Sequence, residues 1–375
     1  MGLRHKYSLV LKKCAILNAL ALLGVMAAFP ANAGYINKGD EKQDGGKLSV
    51  GIWGSGTVEY DEATASMIVK PENGKIIADY LSAAIQTGNK DHKHPVLTVV
   101  GDKDTILEMK TDKYKDDVMI LSRFAKVNIG TAESPIGTIS LADDGLTKGL
   151  HGGTLIYVTS GNGNADADVQ ELNIYGNKIS LSATGEDGVV AISGNEGRLK
   201  LIANELLDII GNIEAYNPIY GGHANMKFDI NTNEGNTAVT TIKGDINAAK
   251  GSEVNIGLKG AGSSITGNLL VSADGTKLPG GDINLSFGEN GRITGNITAQ
   301  DAGKISVAGT DTVNIAGNIS VGENSTFAGK NIAVNGTLTG KGNVQASGKW
   351  DVSDATVDAG AITFEKDASL TAELQ

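Results

Sequence analysis

The chain has 375 residues, with 51 glycines against 6 prolines, 5% aromatic residues and a formal net charge of −11. Glycine at about twice its usual share, with no third-position period and little proline, excludes collagen, and the lack of Ala/Glu/Lys/Leu heptads excludes a long coiled coil. The basic residues are scattered among more numerous carboxylates, which excludes the positive stripe that nucleic-acid phosphates require.

Residues 1–13 carry Arg4, Lys6, Lys12, Lys13 and His5, and residues 14–29 form an apolar run. Pro30-Ala31-Asn32-Ala33 then places small residues at −3 and −1 before Gly34. That order predicts a secretory signal peptide over residues 1–33, cleaved after Ala33. A membrane anchor is the alternative, but the run falls short of the roughly 20 residues needed to span a bilayer, and no second hydrophobic run follows. The M-G-x-x-x-[ST] acylation pattern fails at Lys6. Cleavage removes four cations and no acid, which takes the net charge to −15, and it removes Cys14, the one cysteine. An exported chain without disulfides must be held by core burial and hydrogen bonds, as an extended sheet is.

Residues 34–95 read as an N-terminal capping region. Residues 34–46 are polar, and Leu48-Ser49-Val50-Gly51-Ile52-Trp53 alternates as a first strand. After Asn73-Gly74, the residues Ile77, Tyr80, Leu81, Ala84 and Ile85 share one face at helical spacing and Gly88 offers a stop, which predicts a helix near 75–87. A charged loop follows over 89–94, then strands near 96–100, 105–109, 118–121 and 127–129.

From about residue 125 the text repeats itself. One word stands as Ile209-Ile210-Gly211-Asn212-Ile213, Ile242-Lys243-Gly244-Asp245-Ile246, Ile265-Thr266-Gly267-Asn268-Leu269, Ile293-Thr294-Gly295-Asn296-Ile297 and Ile315-Ala316-Gly317-Asn318-Ile319. A second, apolar-Asn-apolar, stands at Val127-Asn128-Ile129, Leu172-Asn173-Ile174, Val254-Asn255-Ile256, Ile283-Asn284-Leu285 and Val313-Asn314-Ile315. Unequal spacing suits coils whose loops vary while short strands stay in register. Glycine and asparagine take the positive φ of sharp bends, while Ile, Val and Leu point inward and stack about 4.8 Å apart. Inward asparagines would ladder in the same way, and few aromatics would fit so narrow an interior. The predicted fold is all-β: a right-handed parallel β-helix over residues 96–375, of about a dozen coils and near 60 Å long, with one short N-terminal helix after the signal peptide. An antiparallel β-sandwich is the rival reading, since turn signals every 8 to 12 residues suit it also.

A signal peptide followed by Gly/Asn/Thr-rich coils bearing Ile-Thr-Gly-Asn-Ile and Val-Asn-Ile resembles the passenger region of Gram-negative autotransporters, the type V secreted adhesins. The resemblance spans the whole chain and rests on compositional motifs. It implies a secreted or cell-surface protein on the outer-membrane exterior, a non-catalytic stalk whose partners are host or neighbouring-cell surface ligands. Such passengers are followed by a C-terminal translocation barrel, and this chain carries no barrel pattern of ten-residue strands with aromatic girdles. A truncated reading frame is the favoured explanation. The alternative function is a β-helical glycan-active enzyme, a polysaccharide lyase or hydrolase. A third reading makes the chain a spacer.

No catalytic, cofactor-binding or metal site is predicted, and no cofactor. Asn162-Gly163-Asn164-Ala165-Asp166-Ala167-Asp168 spaces oxygens as a calcium loop does, but Ala167 stands where the turn needs glycine and Asn173 where a bidentate Glu belongs. Gly280-Gly281-Asp282 matches a calcium-binding nonapeptide only once. His92 and His94 have no third ligand at a defined spacing, and His151 and His223 lie beside Gly-Gly pairs. The pairs Asp116-Asp117 and Asp143-Asp144 read as solvated turn residues, because adjacent acids point to opposite faces of a strand.

Overall fold

The computed structural model describes residues 29–30, 48–61, 66–85, 95–110, 118–143, 153–159, 170–184, 190–215, 226–249, 251–273 and 280–372. The chain is all-β, its strands mostly parallel, and no helix occurs among the described residues. Alternation sets the faces. In Glu171–Ser182, Leu172, Ile174, Ile179 and Leu181 are buried while Glu171, Asn173 and Ser180 are partly exposed, the period-two pattern of a strand with one buried face.

The parallel pairings form three ladders. One runs from Ser66–Lys70 through Val96–Val99, Lys126–Ile129 and the first half of Glu171–Ser182 to Gly197–Ile210, Met226–Ile230, Glu253–Leu258, Asp282–Phe287 and Lys304–Ala316. The second begins at Lys75–Ile85 and takes in Ile106–Lys110, Ile136–Ala142, the later halves of the two long strands, Val239–Lys243, Ser264–Thr266 and Arg292–Thr294. The third passes through Val118–Arg123, Thr154–Thr159, Val190–Gly194, Asn212–Ala215, Ile246–Ala249, Leu269–Ser272, Ile297–Ala299 and Ile319–Val321. The chain thus visits the three ladders in turn, and each strand meets its partner only after a long crossover, as parallel pairing requires. Some strands run on around the bends: Thr326–Asp351 is continuous over 26 residues, where the sequence predicts short strands.

The inward side chains merge into a single cluster that runs from Val58 to Val352. Aromatic residues do enter it where glycine makes room. A Cβ on Gly329 would lie 2.4 Å from the Trp350 ring, and one on Gly291 would lie 2.6 Å from Phe287. The Trp350 indole N–H donates to the Gly329 carbonyl at 3.1 Å, and its ring meets Phe327 edge-on at 6.2 Å.

The two ends differ. At the N-terminal end, Leu48–Ser55 pairs antiparallel with Lys75–Ile85, Thr57–Asp61 with Ser66–Lys70, and Phe29–Pro30 with Thr57 and Val58. The helix predicted near 75–87 is therefore corrected: residues 75–85 are a strand. Ile76, Ala78, Leu81 and Ala83 are buried, and the register shifts opposite Trp53/Gly54. The predicted stripe does not share one face: Ile77 is exposed while Leu81 is buried, and the bulge breaks the strand's alternation between Ala78 and Leu81. At the C-terminal end, Ala355–Phe364 pairs with Thr326–Asp351, and Ser369–Thr371 with Lys349–Asp351.

Candidate functional site

The repeated word assembles into one bend between the second and third ladders. The Ile209 position stacks on Ile242, Ile265, Ile293 and Ile315, and the Ile213 position on Ile246, Leu269, Ile297 and Ile319. Between them Gly211, Gly244, Gly267, Gly295 and Gly317 all have positive φ, and a Cβ on any of the last four would fall 2.1–2.2 Å from the carbonyl oxygen of the glycine stacked before it. Only glycine lets the backbones approach so closely. The next side chain closes the bend. Asn212 Oδ1 accepts from the Asp245 N–H, Asp245 from Asn268, Asn268 from Asn296, Asn296 from Asn318 and Asn318 from Thr337, at 2.7–3.1 Å. The bend recurs after 33, 23, 28, 22 and 19 residues, so the uneven spacing is absorbed elsewhere in each circuit.

The second word sits mainly in the first ladder. Asn173 donates to Asn128 at 3.1 Å, Asn255 to Asp229 at 2.8 Å and Asn284 to Asn255 at 2.9 Å. These asparagines lie on the outward face and not inside, because their apolar neighbours occupy the interior positions. Asn314 departs from the set, pairing with Arg292 in the second ladder. The buried asparagines do a different task. Asn231 accepts from the Ala203 N–H and donates to Thr240, and Asn236 donates to the Ala203 carbonyl.

Beside the outward asparagines runs a charged row, with Lys126–Glu171 at 3.3 Å and Lys227–Glu253 at 3.2 Å joining adjacent strands. Asp282, further along this row, has its carboxyl pushed above the usual range by burial, with Lys304 opposing and Glu253 adding to the shift. On the second ladder, hydrogen bonds from Lys75 and Lys110, at 2.7 and 2.9 Å, hold the Glu108 carboxyl down at about 2. Lys200 stands 5.7 Å from the Tyr175 ring centre. These outward rows of amide, hydroxyl and paired charge make a hydrogen-bonding surface; among the described residues no group of three His, Cys, Asp or Glu converges to hold a metal.

Of the residues weighed from sequence, His92, His94, His151, His223, residues 162–168, Asp116, Asp117 and Asp144 lie outside the described residues, as do residues 1–28 and 31–33 of the predicted signal peptide. Asp143 is buried and not solvated, its N–H donating to the Ser182 carbonyl at 2.9 Å. Gly280 and Gly281 are packing glycines: a Cβ on either would meet backbone oxygen at 2.7 Å.

One interior residue breaks the pattern. Gln170 is fully buried at the inward position before Glu171, against Gly197, and neither atom of its amide has a hydrogen-bond partner among the described residues. An unpaired buried amide costs about 1–3 kcal/mol. Gln170→Leu, close in volume, is expected to raise the urea midpoint by an amount equivalent to about 1–2 kcal/mol at unchanged m-value. A lower midpoint would show that the amide is satisfied in solution.

The class defined by these contacts is an all-β protein of mostly parallel strands with a glycine–asparagine bend and polar outward ladders. No known protein family, curated protein or solved structure matches the chain.

Proposed function

We propose that the chain is a right-handed parallel β-helix, exported across the inner membrane and serving as a structural and adhesive stalk at the cell surface, of the autotransporter passenger kind. The single observation that carries this reading is the in-register stacking of five copies of one word at one bend. A unit repeated along one axis builds length, and its outward polar rows present the same groups at each step. Right-handedness is the hand that nearly all parallel crossovers take. Export is supported by the cationic, apolar and small-residue order of residues 1–33. Adhesion is supported by the Asn, Ser, Thr and charged outward rows, which suit glycan or protein surfaces rich in hydrogen-bonding groups.

The test is expression of the full chain in a Gram-negative host, followed by fractionation and mass spectrometry. The expected product lies outside the cytoplasm, begins at Gly34, and after purification adheres to cell surfaces without shortening their polysaccharides. A cytoplasmic product that keeps residues 1–33 would overturn export. Release of unsaturated or reducing sugar ends would replace the adhesive reading with the glycan-active enzyme.

A further inference from the structure

Strand Glu171–Ser182 turns Asn173, Tyr175 and Asn177 outward, while Leu172, Ile174 and Gly176 are buried. Tyr175 is unusual among the aromatic residues: up to residue 350, every other aromatic side chain among the described residues is buried. A partly exposed ring thus stands between two amides on one strand.

The neighbouring circuits extend this patch. Asn173 donates to Asn128 at 3.1 Å, and Asn204 to Asn177 at 3.1 Å. Each contact uses one N–H of its donor and one lone pair of its acceptor, so the four amides keep both donors and acceptors for a ligand. A pyranose needs that mixture. Its hydroxyls each give and take a hydrogen bond, and its C–H face packs on the electron-rich face of an aromatic ring. On the side of the ring away from Lys200 the next circuit has Gly130, which adds no side chain over it; a Cβ there would lie 2.5 Å from the Tyr175 carbonyl oxygen.

Charge narrows the choice of sugar. Lys200 stacks beside Asn173, holds its Nζ 5.7 Å from the ring centre, and has no carboxylate partner among the described residues. Asp229, its neighbour on the other side, is engaged by Lys227 and by Asn255. Lys126, Lys178 and Lys227 are paired with Glu171, Glu205 and Glu253. Lys200 is therefore a cation left for a ligand, in a chain that is acidic as a whole.

We infer that Asn173, Tyr175, Asn177, Asn204 and Lys200 bind a carboxylated sugar, a hexuronate unit of an acidic glycan. Its ring packs on Tyr175, its hydroxyls meet the amides, and its carboxylate answers Lys200. The inference rests on the adhesive reading and gives it a ligand class; it does not depend on export.

Calorimetric titration of the full chain compares three probes. One is a six-residue oligomer of galacturonate; the second is its methyl ester, which keeps the rings and loses the charge; the third is hexaglutamate, which keeps the charge and has no rings. The acid oligomer is expected to bind, the ester about tenfold more weakly, and hexaglutamate not at all. Lys200→Gln should remove the difference between acid and ester. Tyr175→Ala should weaken the acid oligomer about tenfold or more with circular dichroism unchanged, and Asn204→Ala, at an exposed position, should weaken acid and ester alike. No binding of the acid oligomer, hexaglutamate bound equally well, or an affinity that Tyr175→Ala and Asn204→Ala both leave unchanged would each overturn the inference. The adhesive reading is judged separately. A chain that adheres to cells but binds no oligomer keeps that reading and sinks this inference, whereas oligomer binding without adhesion to any cell surface leaves the sugar site standing and removes adhesion.

Discussion

Replacing Gly267 with alanine is expected to destabilise the fold by roughly 3–5 kcal/mol, read as a fall in the urea midpoint. Two costs combine. The backbone there has φ +151°, a region that side-chain-bearing residues rarely adopt, and the new Cβ would sit 2.1 Å from the Gly244 oxygen. Relief by moving one circuit is blocked from both sides, because Gly267 N–H donates to Thr294 O and Gly244 N–H to Thr266 O. Gly262 gives the control. It also has positive φ, +79°, but a Cβ there would meet nothing within 4 Å, so Gly262→Ala is expected to cost only the backbone term of about 1–2 kcal/mol. Equal effects at the two glycines would show that stacked approach is not what the repeated word supplies.

The second large effect separates two leucines that are neighbours in sequence. Leu269 stacks between Ile246 and Ile297 with no exposure, whereas Leu270 points outward from the same strand between Asn247 and Thr298. Leu269→Ala is expected to cost about 3 kcal/mol through lost burial and the cavity left behind, and Leu270→Ala under about 1 kcal/mol. Thermal or chemical unfolding of the pair checks this directly. The reverse ranking would mean that the strand sits one residue out of register, since a one-residue slip exchanges its faces.

The bend was legible in the sequence because its cause is local. Positive φ and close approach select glycine, and a short carbonyl-bearing side chain selects asparagine or aspartate, so the word recurs whatever lies between its copies. Asn314 shows the limit of such reading. The triplet Val313-Asn314-Ile315 matches the outward asparagine word, yet it leads into Gly317-Asn318, and the bend places it in the second ladder. Residues 75–85 carry apolar residues at helical spacing, yet the antiparallel partner that makes them a strand, Leu48–Ser55, is distant in sequence. Gln170 carries no signal, because burial of one amide is decided by which strands lie above and below.

The three ladders share one mechanical consequence. Backbone hydrogen bonds between circuits run from each circuit to the next, so under a load applied along the stack every interface carries the whole load, shared among its own bonds. Each circuit is then a separate extensible link. Where one interface yields, the circuits beyond it keep their own contacts, so the stack lengthens in steps of one circuit.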